Sequence, residues 1–218
     1  QLGYYEFKSR TVDIHSVGAG GGSIAHLSKA GTLLVGPQSA GADPGPASYG
    51  LGGTVPTVTD ANVVLHRLPP GVKLGGNFEL HEQAARDAIK PLADELGLSI
   101  EETAQGIIDI ANENMHSALR VVSVERGYDP REFGLVAFGG AGPMHANALG
   151  KLMNAFPVII PPTPGVMSAF GFLSSNVQNE FAKTYLKIAE YTPVEDLLAT
   201  LKDLQNEAHT WLDHEDVP

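Results

Sequence analysis

Two glycine-rich segments carry the residue types from which a phosphate site could be built. The first is Asp13-Ile-His-Ser-Val-Gly-Ala-Gly-Gly-Gly-Ser23, in which Gly18, Gly20, Gly21 and Gly22 fall within five positions. Backbone N–H groups in such a bend can converge on an anion-sized concavity, and a carboxylate just before it, Asp13, could hold a hydrated divalent cation. The segment is not a Walker loop, because no Lys-Ser/Thr follows. Gly18-x-Gly20-x-x-Ser23 also lacks the third glycine of a dinucleotide fingerprint. A bend without a ligand is the competing reading. The second segment, Gly139-Gly-Ala-Gly142, leads into a helical pattern with Pro143 in its first turn, followed by His145 and Asn147. A helix start behind packed glycines offers unsatisfied N–H groups and about half a positive charge to a phosphate or a nucleoside. Here the plainer reading is a tight strand-to-helix joint. Two such loops in one chain favour a single nucleotide clasped between them.

Other polar residues are open to two readings. His15 shares a strand face with Asp13, which allows a joint metal or hydrogen-bond role. In Thr57-Val-Thr-Asp-Ala-Asn62, either Thr59 or Asp60 could cap a helix, or Asp60 could be catalytic. Glu125-Arg-Gly-Tyr-Asp-Pro-Arg131 is a salt-bridged turn or presents Arg126 to a phosphate. Thr163 to Ser168 is not a nucleophile elbow, because Gly-x-Ser-x-Gly is absent. Gln38 and Ser39 stand where an NAD-binding domain would place its acidic residue.

The elements around these residues follow from pattern. Residues 11–68 read as extended segments joined by glycine turns, with Ser23–Leu27 and Thr32–Val35 forming a hairpin across Lys29-Ala-Gly31. Gly36 to Pro46, dense in proline and glycine, is expected to be a fixed loop that sustains neither helix nor central strand. Residues 80–122 are helical. One helix ends near Gly97 with Pro91 threatening a kink, and a second opens on the capping box Ser99-Ile-Glu-Glu102. Phe133–Phe138, almost wholly apolar between glycines, predicts a strand buried on both faces. Val158–Ile160 predicts another. The last helix, from Val194 to about Leu212, carries an apolar stripe that could pack on something absent.

Composition narrows the function classes. With 14 basic and 25 acidic residues the net charge is -11, which repels polyphosphate backbones, so no nucleic acid partner is expected. Cysteine is absent, which excludes disulfides and thiolate chemistry and is compatible with a cytoplasmic location. No window is apolar enough for a membrane span, and the N-terminal residues lack signal architecture. The start without Met suggests a fragment.

Taken together, Val12–Ile24, Val35–Pro46, Pro56–Asn62, Arg126–Arg131, Ala137–His145 and Pro161–Gly171 resemble, in order, the hydantoinase A / 5-oxoprolinase family. The resemblance covers residues 12–185. It implies an α/β lobe of an actin-like, Hsp70-like (ribonuclease H-like) ATPase, a mixed sheet with flanking helices. Residues 1–190 would form the second lobe, and 191–218 a helix starting a further region. Asp13 to Ser23 would then be the second phosphate hairpin and Phe138 to Pro143 the adenosine-side turn. Gly18, Gly20, Gly21, Gly22, Ser23, Gly139, Gly140 and Gly142 would contact ATP and magnesium, with Asp13 and Asp60 as the catalytic candidates. The family's members cleave cyclic amides with ATP or act in ketone carboxylases, by phosphorylating a carbonyl or enol oxygen. An unactivated lactam is a poor electrophile, and phosphorylation supplies a leaving group. The expected partners are a cyclic amide or ketone, a hydantoinase B-type subunit or domain, and further copies in an oligomer. The family's first phosphate hairpin, of the Asp-x-Gly-Gly-Thr type, is absent from these residues, so a non-catalytic nucleotide lobe or assembly module is the alternative. No metal ligand is assigned.

Overall fold

Regular structure begins where the first glycine bend ends. The computed structural model describes residues 14–69, 73–74 and 78–215. Strand β1 (Ser23–Leu27) pairs antiparallel with β2 (Leu33–Ser39), as the hairpin pattern predicts. β2 runs further than expected, through Gly36 and Pro37. The register explains this: Ser23 faces Ser39 and Ala25 faces Val35, so Gly36, Pro37 and Gln38 oppose Ile24 alone. Proline sits inside a bulge, where no ladder hydrogen bond is asked of it. On its other side β1 meets the chain before α1 (Val58–Val64), through Ala25 N–H to Pro56 O at 2.9 Å.

All seven residues of α1 are buried. Helices α2 (Glu82–Leu96) and α3 (Ile100–Val122) pack against it, and Ile89, Ile107 and Ile108 join Val58, Ala61, Val63 and Val64 in one core. Pro91 lies within α2 without ending it, and Gly97 caps it in the left-handed region. At α3 the capping box is present as expected, Ser99 and Glu102 each accepting from the other's backbone. The cap of α1 falls on neither Thr59 nor Asp60: Thr57 is the N-cap and Asp60, at the third helical position, completes the box. Asp60 does more than that. Fully buried, its carboxylate accepts from Ser48 N–H (2.7 Å), Thr57 N–H (2.9 Å), Thr57 Oγ1 (2.8 Å) and Ala47 N–H (3.3 Å). The short 3-10 turn Ala47–Tyr49 is thereby tied to the start of α1.

Strands β3 (Lys73–Leu74) and β4 (Phe78–Glu79) form a small antiparallel pair. Strands β5 (Leu135–Val136) and β6 (Val158–Ile159) are parallel and are joined by α4 (Gly142–Met153), a βαβ unit. The expected mixed sheet is therefore divided, among the described residues, into three two-stranded sheets. Gly134 and Pro157 lie just before β5 and β6, and Gly139 and Pro161 just beyond them, which limits each ladder. Nor is β5 buried on both faces. Val136 and Phe138 share a face and are about half exposed, at 52% and 50%.

The chain divides into two units, one up to Ser168 and one from Ala169 onward. Helix α5 (Met167–Leu173) crosses that boundary, and α6 (Val194–His214) belongs wholly to the second unit. Within that unit Trp211 of α6 meets Phe181 edge to face, with centroids 6.2 Å apart. The apolar stripe at Leu197, Leu198 and Leu201 is 43–58% exposed. Among the described residues no helix is long and apolar enough to cross a membrane.

Removing the Asp60 carboxylate strands four buried donors. In the full-length protein Asp60→Ala is expected to lower unfolding free energy by at least about 3 kcal/mol, with Asp60→Asn losing less. Denaturant midpoints measure this, and a loss for Asp60→Ala under about 1 kcal/mol would contradict the network.

Candidate functional site

The first glycine bend is a turn closed by Ser23 N–H to Gly20 O at 3.0 Å and tightened by Gly20 N–H to Ser23 Oγ at 2.9 Å. Such a turn leaves the amide N–H groups of its two central residues, here Gly21 and Gly22, outside its own bonds. Gly21 O accepts twice from α1, from Thr59 N–H (2.8 Å) and Thr59 Oγ1 (2.9 Å). Glycine is required at position 21 by proximity, not by dihedral angle. A Cβ there would lie 2.8 Å from Thr59 Oγ1 and 4.0 Å from the Ala141 Cβ.

That second distance brings the two bends together. Gly139 has φ +86°, which favours glycine, and its N–H donates to Pro164 O at 2.8 Å. The bend then passes into α4 at Ala141, which supplies no side-chain cap; Pro143 has no N–H and Met144 N–H donates to Ala141 O at 3.0 Å, so Gly142 carries the first-turn N–H that a cap would otherwise serve. Gly21 and Gly22 from the first bend and Gly140 and Ala141 from the second line one cavity of about 560 Å³, with Thr59 and Asn62 of α1 on its wall. Gly20 and Gly142 line a neighbouring apolar cavity of about 360 Å³, against Met115 and Leu119 of α3. The candidate site is this junction.

Not every candidate residue faces it. Gly18 packs on Pro37, where a Cβ would come within 2.9 Å of the proline Cβ, and lines a different hollow beside α3. Ser23 is buried and spends its hydroxyl closing the turn. Asp60 has its carboxylate engaged by four protein donors and no exposure to solvent, so its geometry is that of a positioning group. Asp13 lies outside the described residues, and with it the Asp13–His15 pairing. Asp129 and Arg131 form a bidentate ion pair (2.7–3.1 Å) in the turn before β5, and the guanidinium holds the Asp129 carboxyl down to about 2. Among the described residues no cluster of three His, Asp or Glu could hold a metal ion.

Three residues take roles that the sequence reading did not assign to them. Thr59, weighed only as a cap, is the clamp on Gly21, and Asn62 joins it on the cavity wall. Their i, i+3 spacing, which puts two residues on one helix face, was the available signal. His145, read from sequence only as part of the helix start behind the second bend, is the third. It turns inward, 1% exposed, and its Nδ1 donates to Asn112 Oδ1 of α3 at 2.7 Å, anchoring the first turn of α4 beside the second bend. Burial, seconded by the Arg67 charge, lowers its pKa below the ordinary histidine value. Asn147, by contrast, is exposed.

A histidine whose folded pKa is depressed binds its proton less readily folded than unfolded. Its neutral form therefore contributes stability above the unfolded value near 6.5, and that stability is lost as pH falls below it, by at most about 1.4 kcal/mol per pH unit. Unfolding free energy of the full-length protein measured between pH 7.5 and 5 should carry this component, and His145→Gln should lack it. Identical pH slopes for the two proteins would contradict the assignment.

Comparison with known proteins gives a consistent set of likenesses. Residues 1–181 match the family model described as hydantoinase/oxoprolinase. The chain is 45% identical over 202 residues to the caprolactamase alpha subunit of Pseudomonas jessenii, covering 91% of this chain and 29% of that one. It is 48% identical over 159 residues to the acetophenone carboxylase gamma subunit of Aromatoleum aromaticum, covering 72% of this chain and 21% of that subunit. A crystal structure of the ATP-dependent caprolactamase from Pseudomonas jessenii superimposes with TM-score 0.67 at 42% identity, over 89% of this chain and 28% of that one. The chain thus spans under a third of the length of these relatives.

Proposed function

Because the chain belongs to the hydantoinase/oxoprolinase family, we propose that it forms the nucleotide-facing part of an ATP-dependent cyclic-amide hydrolase, within an actin-like ATPase fold. The observation that carries this reading is the meeting of two glycine bends at one cavity, lined by Gly21, Gly22, Gly140 and Ala141. Turn N–H groups outside the turn's own bonds on one side and the start of α4 on the other suit a polyphosphate without any basic side chain. The ATP would supply the phosphoryl group that activates a ring carbonyl oxygen. The chain's own residues position it: Thr59 fixes the first bend through Gly21 O, and Asp60 fixes α1 beneath Thr59. His145 fixes the second bend through α3. Asp13, which precedes the first bend in the sequence, is the proposed carboxylate for hydrated magnesium, an ion that keeps several waters and needs few protein ligands. Further proposals are a hydantoinase B-type subunit or domain as partner, an oligomeric assembly and a cytoplasmic location.

A second reading within the family, an ATP-dependent ketone carboxylase subunit, is favoured by the 48% identity to the acetophenone carboxylase gamma subunit. Substrate-dependent ATP turnover of the full-length protein with hydantoin, 5-oxoproline, caprolactam or acetone separates the two.

Isothermal titration of the full-length protein with a non-hydrolysable ATP analogue and magnesium should show binding that Gly21→Val abolishes, because the added side chain collides with Thr59. Equal affinity in a folded variant would count against the site. The 218-residue chain alone, without a first phosphate hairpin, is expected to show no ATP hydrolysis above background. Steady-state hydrolysis by it that Asp13→Ala removes would overturn that expectation.

A further inference from the structure

The polar link between the start of α4 and α3 is made by a group that titrates. His145 is the fourth residue of α4, next to Met144, which lines the junction cavity together with Gly140 and Ala141. Its ring lies inside the protein, with Nδ1 donating to Asn112 Oδ1 at 2.7 Å. The other nitrogen, Nε2, is buried without a hydrogen-bond partner among the described residues. A neutral ring with its proton on Nδ1 tolerates this, since Nε2 then carries only a lone pair. Protonation turns Nε2 into a charged donor that meets no acceptor and no water, which a buried site strongly disfavours. The surroundings do not offset that cost. Arg67, beyond the end of α1, adds a like charge and is itself bonded to Gln105 of α3 at 3.0 Å. On α3, Asp109 is exposed and accepts from Gln105 Nε2 at 2.7 Å, while Glu113 is paired with His116 at 3.4 Å. On α1 the Asp60 carboxylate is engaged by its four donors. Strands β5 and β6 carry no titratable side chain, and α4 carries only Lys151 besides His145.

We infer that His145 is a proton-sensitive latch on the second glycine bend: only a neutral ring holds the start of α4 against α3, so ligand binding at the junction excludes a proton from His145. This rests on the reading of that cavity as a ligand site. A charged ring leaves its buried position, the first turn of α4 loses its anchor, and the bend that leads into it shifts. A site whose competent state is only partly populated binds with an affinity reduced by that fraction. Burial and the Arg67 charge favour the neutral ring, so the latch is closed at neutral pH. It opens as pH falls through the His145 midpoint, which lies below the ordinary histidine value near 6.5.

The test uses the full-length protein, with a non-hydrolysable ATP analogue and magnesium as the probe. Affinity is measured from pH 7.5 to 5 for wild type and for His145→Asn, whose Nδ2 can replace the Nδ1 donor to Asn112 but does not titrate. The analogue's own ionisation acts on both proteins alike and cancels in the ratio of their dissociation constants, wild type over variant. That ratio should be constant near neutrality and rise toward about tenfold per pH unit below the His145 midpoint. A second measurement uses wild type alone and decides the matter if the variant does not fold. Followed by NMR with 15N-histidine labelling, the His145 ring should protonate at a lower pH with the analogue bound than without it. The inference is overturned if the ratio stays flat in a folded variant, if a saturating analogue leaves the His145 midpoint where it was, or if the ring protonates only when the protein unfolds. Absent binding at pH 7.5 would instead remove the ligand site, and the latch with it.

Discussion

The double hydrogen bond from Thr59 to Gly21 O holds the site together. It joins a turn whose central amide groups lie outside its own bonds to the start of a helix buried on every side, and a Cβ on the turn residue would crowd the clamp. A polar clamp at the edge of an apolar core is stable only if the helix carrying it cannot shift. Asp60 supplies that restraint, exchanging four buried donors' lost water for one carboxylate. Packing of Val58, Val63, Ile89, Ile107 and Ile108 does the rest. The first bend is thus held by the core itself, and the second by α4, which His145 pins to α3.

The proposed site would reconcile an acidic chain with an anionic ligand. A net charge of -11 disfavours phosphate at long range, yet amide dipoles act at contact, where the local field is set by the nearest N–H groups. Recognition by backbone, as proposed, would also account for a junction built from glycine. Side chains there would occupy the space and, at Gly21, break the clamp. A hydrated magnesium ion would offset the remaining negative charge, which is why the carboxylate before the first bend matters to the proposal.

Much of this was legible in the sequence. The helices announced themselves through the Ser99-Glu102 capping box, the Gly97 terminus and apolar periodicity, all local signals. Both glycine bends were visible as composition, and that they meet follows only from tertiary packing across more than a hundred residues. The function of Asp60 was hidden because its partners at Ala47 and Ser48 are reached through a turn whose course no local pattern encodes. Pro37 misled for a related reason, since the bulge that accommodates it is a property of the pairing with β1. The apolar run at Phe133–Phe138 suggested burial on two faces, but Val136 and Phe138 remain half exposed.

The central claim, that both bends serve one ligand, is tested most directly by following glycine amides in the full-length protein labelled with 15N-glycine, with Gly21, Gly22 and Gly140 assigned by substitution. On titration with magnesium and an ATP analogue, all three resonances should shift along a single saturation curve. Movement of one bend while the other stays unperturbed, or no movement at either, would contradict it.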